Sequence, residues 1–298
     1  MSRYHSILNV LGGGGFLLDQ YPSSTSVYGY SLRKLSSSYS GPVVRVRRDS
    51  DNAESDIGFN SDNEIDTDAL TAFVGSNSGY VTTWYDQGGL GNNISSSTAT
   101  RQPRVVISGT VRITDGKPSM YYYTDLLGGA RINELHNGTN CFVAALVKSS
   151  INTTARQSLV ATCSNLGSNI GYQFHMVTYS SDHIVSNVRN GSGLVSSNIT
   201  PSDYPENSRY LITDVLDVSN STLANRSTIN VNNSSDINNN TSNGTPSASN
   251  STRSLMVGAT VSDSYFRGDM QEIIIYTSDQ SSNKAGIIEN INNHYLVY

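Results

Sequence analysis

Tyr80-Val81-Thr82-Thr83-Trp84-Tyr85-Asp86-Gln87-Gly88-Gly89-Leu90-Gly91-Asn92-Asn93 is the stretch on which the reading of this chain turns, and it holds the only tryptophan. Val81, Thr83 and Tyr85 alternate with Thr82 and Trp84. All are β-branched or aromatic, so the segment is expected to be a strand. At Asp86 the texture changes to glycine and asparagine, which tolerate the positive φ of a tight loop. A strand that carries Trp and Tyr straight into a polar glycine loop fits either the centre of a β-sandwich or one wall of a sugar site.

Working outward, the totals favour strands. At 298 residues the chain can bury a sizeable core. Only 14% of residues are charged, and the low lysine and glutamate content argues against a helical protein. A net charge of −5 offers no general attraction to phosphate backbones or anionic membranes, so neither nucleic-acid binding nor membrane insertion is expected. Cys141 and Cys163 lack the spacing of a zinc site, and they are expected to be buried free thiols, with a bridge between neighbouring strands as the alternative. No apolar run has the length of a membrane span, and Met1 to Tyr21 lacks the layout of a secretion signal.

Upstream of the opening stretch, residues 1–28 are set apart as an extended arm. Ile7, Leu8, Val10, Leu11, Phe16, Leu17 and Leu18 are apolar but broken by Gly12-Gly13-Gly14-Gly15, too short to form a core and therefore in need of something to pack on. Docking on a larger assembly and folding back onto the same domain both satisfy that need. The second domain runs from 29 to 298. Val43-Val44-Arg45-Val46-Arg47-Arg48 is a strand with arginines on one face, followed at once by Asp49, Asp51, Glu54 and Asp56, so ion pairing on a solvated face is expected. Asp66 or Thr67 caps a short helix with Leu70, Phe73 and Val74 on one side.

Downstream, short strands recur at 141–148, 158–163, 171–178, 183–189, 209–218, 226–231 and 255–261, the spacing of an antiparallel sandwich or jelly roll. The Asn/Ser/Thr-rich segment 232–254 is expected to be an exposed loop. Residues 265–276 form a long strand, and an amphipathic helix follows with Ala285, Ile288, Ile291 and Tyr295 on its apolar face. Arg267-Gly268-Asp269 spells an adhesion tripeptide, here expected inside a strand and without that role.

Several of these segments carry a resemblance. Tyr30-Ser31-Leu32-Arg33-Lys34-Leu35, Gly41 to Arg48, Asp56-Ile57-Gly58-Phe59, Trp84-Tyr85-Asp86-Gln87 and Gln102-Pro103 resemble the amino-terminal part of the catalytic domain of glycoside hydrolase family 54 α-L-arabinofuranosidases. They look still more like a related module in bacteriophage tail and head fibres. The final strand and helix resemble the close of concanavalin A-like, laminin-G-like jelly rolls. The resemblance implies an all-β, concanavalin A-like sandwich divided into a 29–123 module and a 124–298 remainder, with an amino-terminal arm and a short carboxy-terminal helix.

Activity is a separate matter. Retaining hydrolysis needs two carboxyl groups about 5 Å apart. The family resemblance implies a nucleophilic Glu after a vicinal cysteine pair and an acid/base Asp after a Gly-Gly pair. This chain has Thr162-Cys163-Ser164-Asn165-Leu166-Gly167 in the first place and Val257-Gly258-Ala259-Thr260-Val261, with Asp263 beyond, in the second. Neither carboxylate is matched. Asp269 and Glu272 are separated by an odd number and are expected on opposite strand faces. His5, His136, His175, His183 and His294 lack metal-ligand spacing, although His175 and His183 can meet across a hairpin.

The expectation from sequence is therefore a phage virion protein, a head or tail fibre or capsid decoration displayed on the particle surface. Its arm (Ile7, Leu8, Val10, Leu11, Phe16, Leu17, Leu18) anchors to other virion proteins, and its sandwich binds host or environmental glycans without catalysis. The sugar-contact candidates are Trp84, Tyr85, Asp86, Gln87, Asn92, Asn93 and Tyr172, with Tyr121, Tyr122 and Tyr123 as further aromatics. No catalytic residue, metal or cofactor is expected, and a homo-oligomer is. The alternatives are a glycoside hydrolase resembling α-L-arabinofuranosidase and a virion protein with no ligand.

Overall fold

The computed structural model describes residues 15–150, 156–164, 168–177, 183–201, 204–260 and 264–298. Along the chain run β1 (Val27–Ser31), β2 (Val44–Arg48), β3 (Glu54–Ile57), β4 (Gly79–Trp84), β5 (Arg104–Ile107), β6 (Met120–Tyr122) and β7 (Cys141–Ser149). Then come β8 (Arg156–Ala161), β9 (Ile170–Val177), β10 (His183–Asn190), β11 (Leu194–Ile199), β12 (Arg209–Leu216), β13 (Ser227–Val231), β14 (Met256–Val257) and β15 (Gly268–Tyr276). The α-helices among the described residues are α1 (Leu17–Gln20), α2 (Thr67–Val74) and α3 (Lys284–Tyr295). All the named pairings are antiparallel, and the architecture is the expected concanavalin A-like sandwich.

The back sheet is organised around β15. It pairs with β7 on one side and with β1 and β6 on the other, and β7 continues through β12 to β13. The front sheet is the succession β8, β9, β10 and β11, with β14 beside β8. The amino-terminal module β3-β2-β4-β5 joins the back sheet where β5 pairs with β6.

Two apolar layers follow. The main core lies between the sheets and takes Trp84, Tyr122, Tyr172, Phe174, Val143, Ile273 and Ile275. The second lies on the outer side of the back sheet, where Phe142, Ala144, Leu146, Ile274 and Tyr276 meet Leu17, Leu18, Ile287, Ile288, Ile291 and Tyr295. Residues of β7 and β15 thus bury both faces, and each carries an unbroken apolar run, Cys141–Val147 and Ile273–Tyr276, while the first half of β15 buries Asp269, Gln271 and Glu272. Ala285 is exposed and Ile287 takes its place in the contact; the helix is turned relative to the expected face because Asn290, bonded to Arg33, also points inward.

The arm is corrected at this point. Leu17 and Leu18 pack on their own chain in the second core, and Leu18 N–H donates to Leu35 O. They are accordingly unavailable as an anchor. Phe16 is half-buried with Lys34 over its ring. Ile7, Leu8, Val10 and Leu11 lie outside the described residues. The 28/29 boundary falls inside β1, whose Val27 and Tyr28 continue the ladder with β15.

Other expectations meet the structure directly. Arg45–Asp56 and Arg48–Asp51 form ion pairs, Asp66 caps α2 through Asp68 N and Ala69 N, and both cysteines are buried and free. The strand foreseen at 255–261 is limited to Met256–Val257, and β11 was unforeseen. Segment 232–254 is tied down by bridges at Ile229↔Ile237 and Asn198↔Asn240. A bulge changes the reading of Asp269 and Glu272. The β7–β15 register slips between Leu146↔Glu272 and Val147↔Met270. Met270 and Ile273 both face the main core, so Asp269, Gln271 and Glu272 share the side away from it. Arg112 and Arg33 neutralise the two carboxylates there.

Candidate functional site on the open face of the front sheet

The back sheet is covered by helices, whereas the described part of the front sheet has an outward face with a groove of about 280 Å³. That is close to the lower limit of ~300 Å³ for small-molecule sites. Alternation builds it. On β9, Tyr172, Phe174 and Met176 enter the core, so Gln173, His175 and Val177 face out; on β10, Ile184 and Val188 enter and His183, Val185, Asn187 and Arg189 face out.

Register stacks these side chains into rows. Arg156, Val177 and His183 form one row, and Ser158, His175, Val185 and Ile199 the next. Gln173, Asn187 and Ser197 form a third, and Arg189 stands beside Leu194 in the last. From the first row to the last is six residues along β9, about 20 Å at ~3.3 Å per residue.

The outward residues are polar yet enclosed. His175 and Gln173 are 2% exposed, and Asn187 and Ser197 6%. His175 Nδ1, Asn187 Oδ1, Gln173 Oε1, Ser158 Oγ and Arg156 Nη1 have no hydrogen-bond partner among the described residues. Buried polar atoms are normally satisfied by protein, water or ligand. Burial holds the His175 imidazole down at about 3, and the positive charges of Arg156 and Arg189 act in the same direction. The groove therefore has two arginines, the imidazoles of His175 and His183, the Asn187 amide, the Ser197 hydroxyl and an apolar floor of Val185, Leu194 and Ile199. No described residue lining it is a carboxylate.

Under the groove, inside the sandwich, Asp214 accepts from Tyr172 Oη at 2.9 Å and Ser227 Oγ at 2.7 Å. Burial pushes its carboxyl up to about 6, although Ser186, Ser227 and Tyr172 all favour the charged form. Tyr172, one of the sugar-contact candidates, is fully buried in this network and presents no face to a ligand.

The remaining candidates belong to a clamp between the amino-terminal module and the back sheet. Trp84 is fully buried against Tyr30, ring centroids 6.0 Å apart. Asp86 Oδ1 accepts from Gly29 N and Gly88 N, and its Oδ2 accepts from Asn92 N. Asn93 Oδ1 in turn accepts from Asp86 N. Gln87 accepts from Leu35 N and donates to Ser31 O and Arg33 O. Tyr85 Oη donates to Asp56. The stretch thus fixes the glycine loop, and Gln87 also holds residues 31–35. Tyr122 is in the core, while Tyr121 lies under Arg104 and Arg112, and Tyr123 under Arg267.

The sequence allows His175 and His183 to meet across a hairpin; the register sets them opposite Val185 and Val177 in adjacent rows, and both line the groove. It missed Arg156, Asn187, Arg189 and Ser197. The available signal was the period-2 placement of polar residues opposite the apolar Tyr172, Phe174, Ile184 and Val188.

Comparison with known proteins points one way. The family model for the catalytic part of alpha-L-arabinofuranosidase B matches residues 23–114. An arabinofuranosidase complexed with arabinofuranosyl-alpha-1,2-xylobiose superposes with a TM-score of 0.59 at 14% identity, over 92% of this chain and 64% of that one. A GH54 α-L-arabinofuranosidase soaked with a cyclic sulfate inhibitor gives 0.61 at 13% identity, over 89% and 62%. The chain thus spans a little under two thirds of each solved chain. No curated protein matches. The fold is that of the GH54 arabinofuranosidase catalytic domain. The expected phage head or tail fibre role is overturned by these findings, because the family match and the superpositions are with glycoside hydrolases.

Proposed function

We propose that the chain is a carbohydrate-active domain of the glycoside hydrolase type, which takes a glycoside into the groove on the open face of the front sheet. The observation that carries this reading is the pair of enclosed hydrogen-bonding side chains lining the groove in adjacent rows, His175 and Asn187, each with a polar atom that has no partner among the described residues. The family match supports it, since the model covering residues 23–114 describes a hydrolase of arabinofuranosides. Val185, Leu194 and Ile199 suit the C–H faces of a sugar ring, and the amide, imidazole and hydroxyls suit its hydroxyl groups.

Recognition without hydrolysis is a second reading, favoured by the want of a carboxylate among the described lining residues. One experiment separates the two. The protein is incubated with 4-nitrophenyl α-L-arabinofuranoside, and binding is followed by NMR beside release of 4-nitrophenol. Release that is lost on His175→Ala supports the hydrolase; shifts at the groove without release support recognition alone. If arabinofuranosides and other glycans cause neither, the proposal fails.

A further inference from the structure

We propose that the groove takes an acidic glycan, a sugar chain bearing carboxylates that meet Arg156 at one end and Arg189 at the other. This rests on the reading of the groove as a glycan site and adds the charge of the substrate class. The whole protein carries a net charge of −5, yet the described lining of this groove holds two arginines and no acid. Four arginines elsewhere in the fold contrast with Arg156. Arg33, Arg45, Arg48 and Arg112 each meet a carboxylate at 2.6–2.8 Å. Arg156, by comparison, leaves Nη1 without a partner among the described residues.

The spacing favours an oligosaccharide over a small anion. The two arginines stand three rows apart on the sheet, with His175 and Asn187 in the rows between. Both act electrostatically on the buried imidazole, so their fields overlap at the centre of the groove. A single small ion would meet one of them. A chain of uronic-acid rings lying along the rows would set carboxylates near both, with ring hydroxyls against Asn187, His175 and Ser197. The planar guanidinium is suited to bidentate carboxylate binding, and desolvation strengthens such a pair.

The test is calorimetric titration of the full chain at low ionic strength with a short oligogalacturonate and with the same oligosaccharide after its carboxyls are reduced to alcohols. Ring and length are matched, so only charge differs. The acidic form is expected to bind about tenfold or more tightly, the scale of one charge-assisted hydrogen bond. In the double variant Arg156→Gln/Arg189→Gln the two forms are expected to converge. Arg45→Gln, on an exposed ion pair of β2, controls for overall charge and is expected to leave the preference intact. Unchanged thermal unfolding of the double variant shows that the loss is local. Equal affinity for the two oligosaccharides, or a preference that survives the double variant, overturns the inference. Binding of a neutral arabinofuranoside with neither oligogalacturonate form bound overturns it and leaves the glycoside reading standing; no binding of any of them overturns both.

Discussion

Replacing Arg33 by Met should be among the most damaging single changes outside the main core. Arg33 Nε donates to Glu272 Oε2 at 2.8 Å, Nη2 to Oε1 at 3.0 Å, and Nη1 to Asn290 Oδ1 at 2.9 Å. Its guanidinium also lies 5.6 Å from the Tyr295 ring centroid. One side chain thereby joins the end of β1 to β15 and to α3. The two charged side chains are 7% and 1% exposed, so water cannot take over either charge. With Met at 33, Glu272 loses its countercharge and is left with neutral hydroxyl partners, Ser31 Oγ at 2.6 Å among them. Leaving one member of a buried pair uncompensated costs about 3–5 kcal/mol. Against a typical stability of about 5–15 kcal/mol, that can consume half the total.

The double variant Arg33→Met/Glu272→Leu should recover most of this, because an apolar pair of similar volume replaces a buried ion pair at little cost. The assay is urea unfolding of parent, both single variants and the double variant, with the coupling read from the cycle. An Arg33→Met cost below about 1 kcal/mol, or a double variant as unstable as the sum of the singles, would refute the reasoning.

Further outcomes are expected elsewhere. Asp214 titrates at about 6 when folded, against an ordinary value of 3.8. Between those pH values the folded state holds more proton than the unfolded, so this group's contribution is full below pH 4 and shrinks by about 3 kcal/mol as pH rises through 6. His175 and His294, both held near 3 in the fold, act in the opposite sense below their ordinary 6.5. The difference between parent and Asp214→Asn isolates the aspartate: unfolding measured from pH 4 to 7 should show the variant gaining on the parent as pH rises, and parallel curves would count against it. Gly88→Ala places a Cβ 1.9 Å from Val27 O and should cost about 1–3 kcal/mol, read as a lowered Tm; an unchanged Tm would mean the loop is not clamped. Trp84 is the sole tryptophan and fully enclosed, so its fluorescence should resist acrylamide until urea unfolds the chain.

The fold was largely legible because its evidence is periodic. Cys141–Val147 and Ile273–Tyr276 announce themselves as apolar runs, and Asp86-Gln87 as the polar residues that end a strand. The site was less legible for a physical reason. A groove on a sheet needs outward polar residues at alternate positions, and on β11, Leu194–Ile199, the outward Ser197 is hidden between the inward Ser196 and Asn198, a polar run that reads as turn material. Asp269 and Glu272 misled by count, since one bulged residue moved them onto one face. Trp84 and Tyr172 misled by type. Large aromatics suit both a sugar platform and a core, and only the three-dimensional neighbours, Tyr30 in one case and Asp214 in the other, separate the two.

The helices against the back sheet leave the molecule one-sided. What keeps β9 and β10 folded is on their inward positions, Tyr172, Phe174, Met176, Ile184 and Val188. What they offer to other molecules is on the alternate ones. Substitutions at Gln173, His175 and Asn187 therefore change what the groove presents while the inward positions that hold the frame are untouched. In such a protein the vocabulary of recognition is free to drift while its grammar, set one residue to either side, stays put.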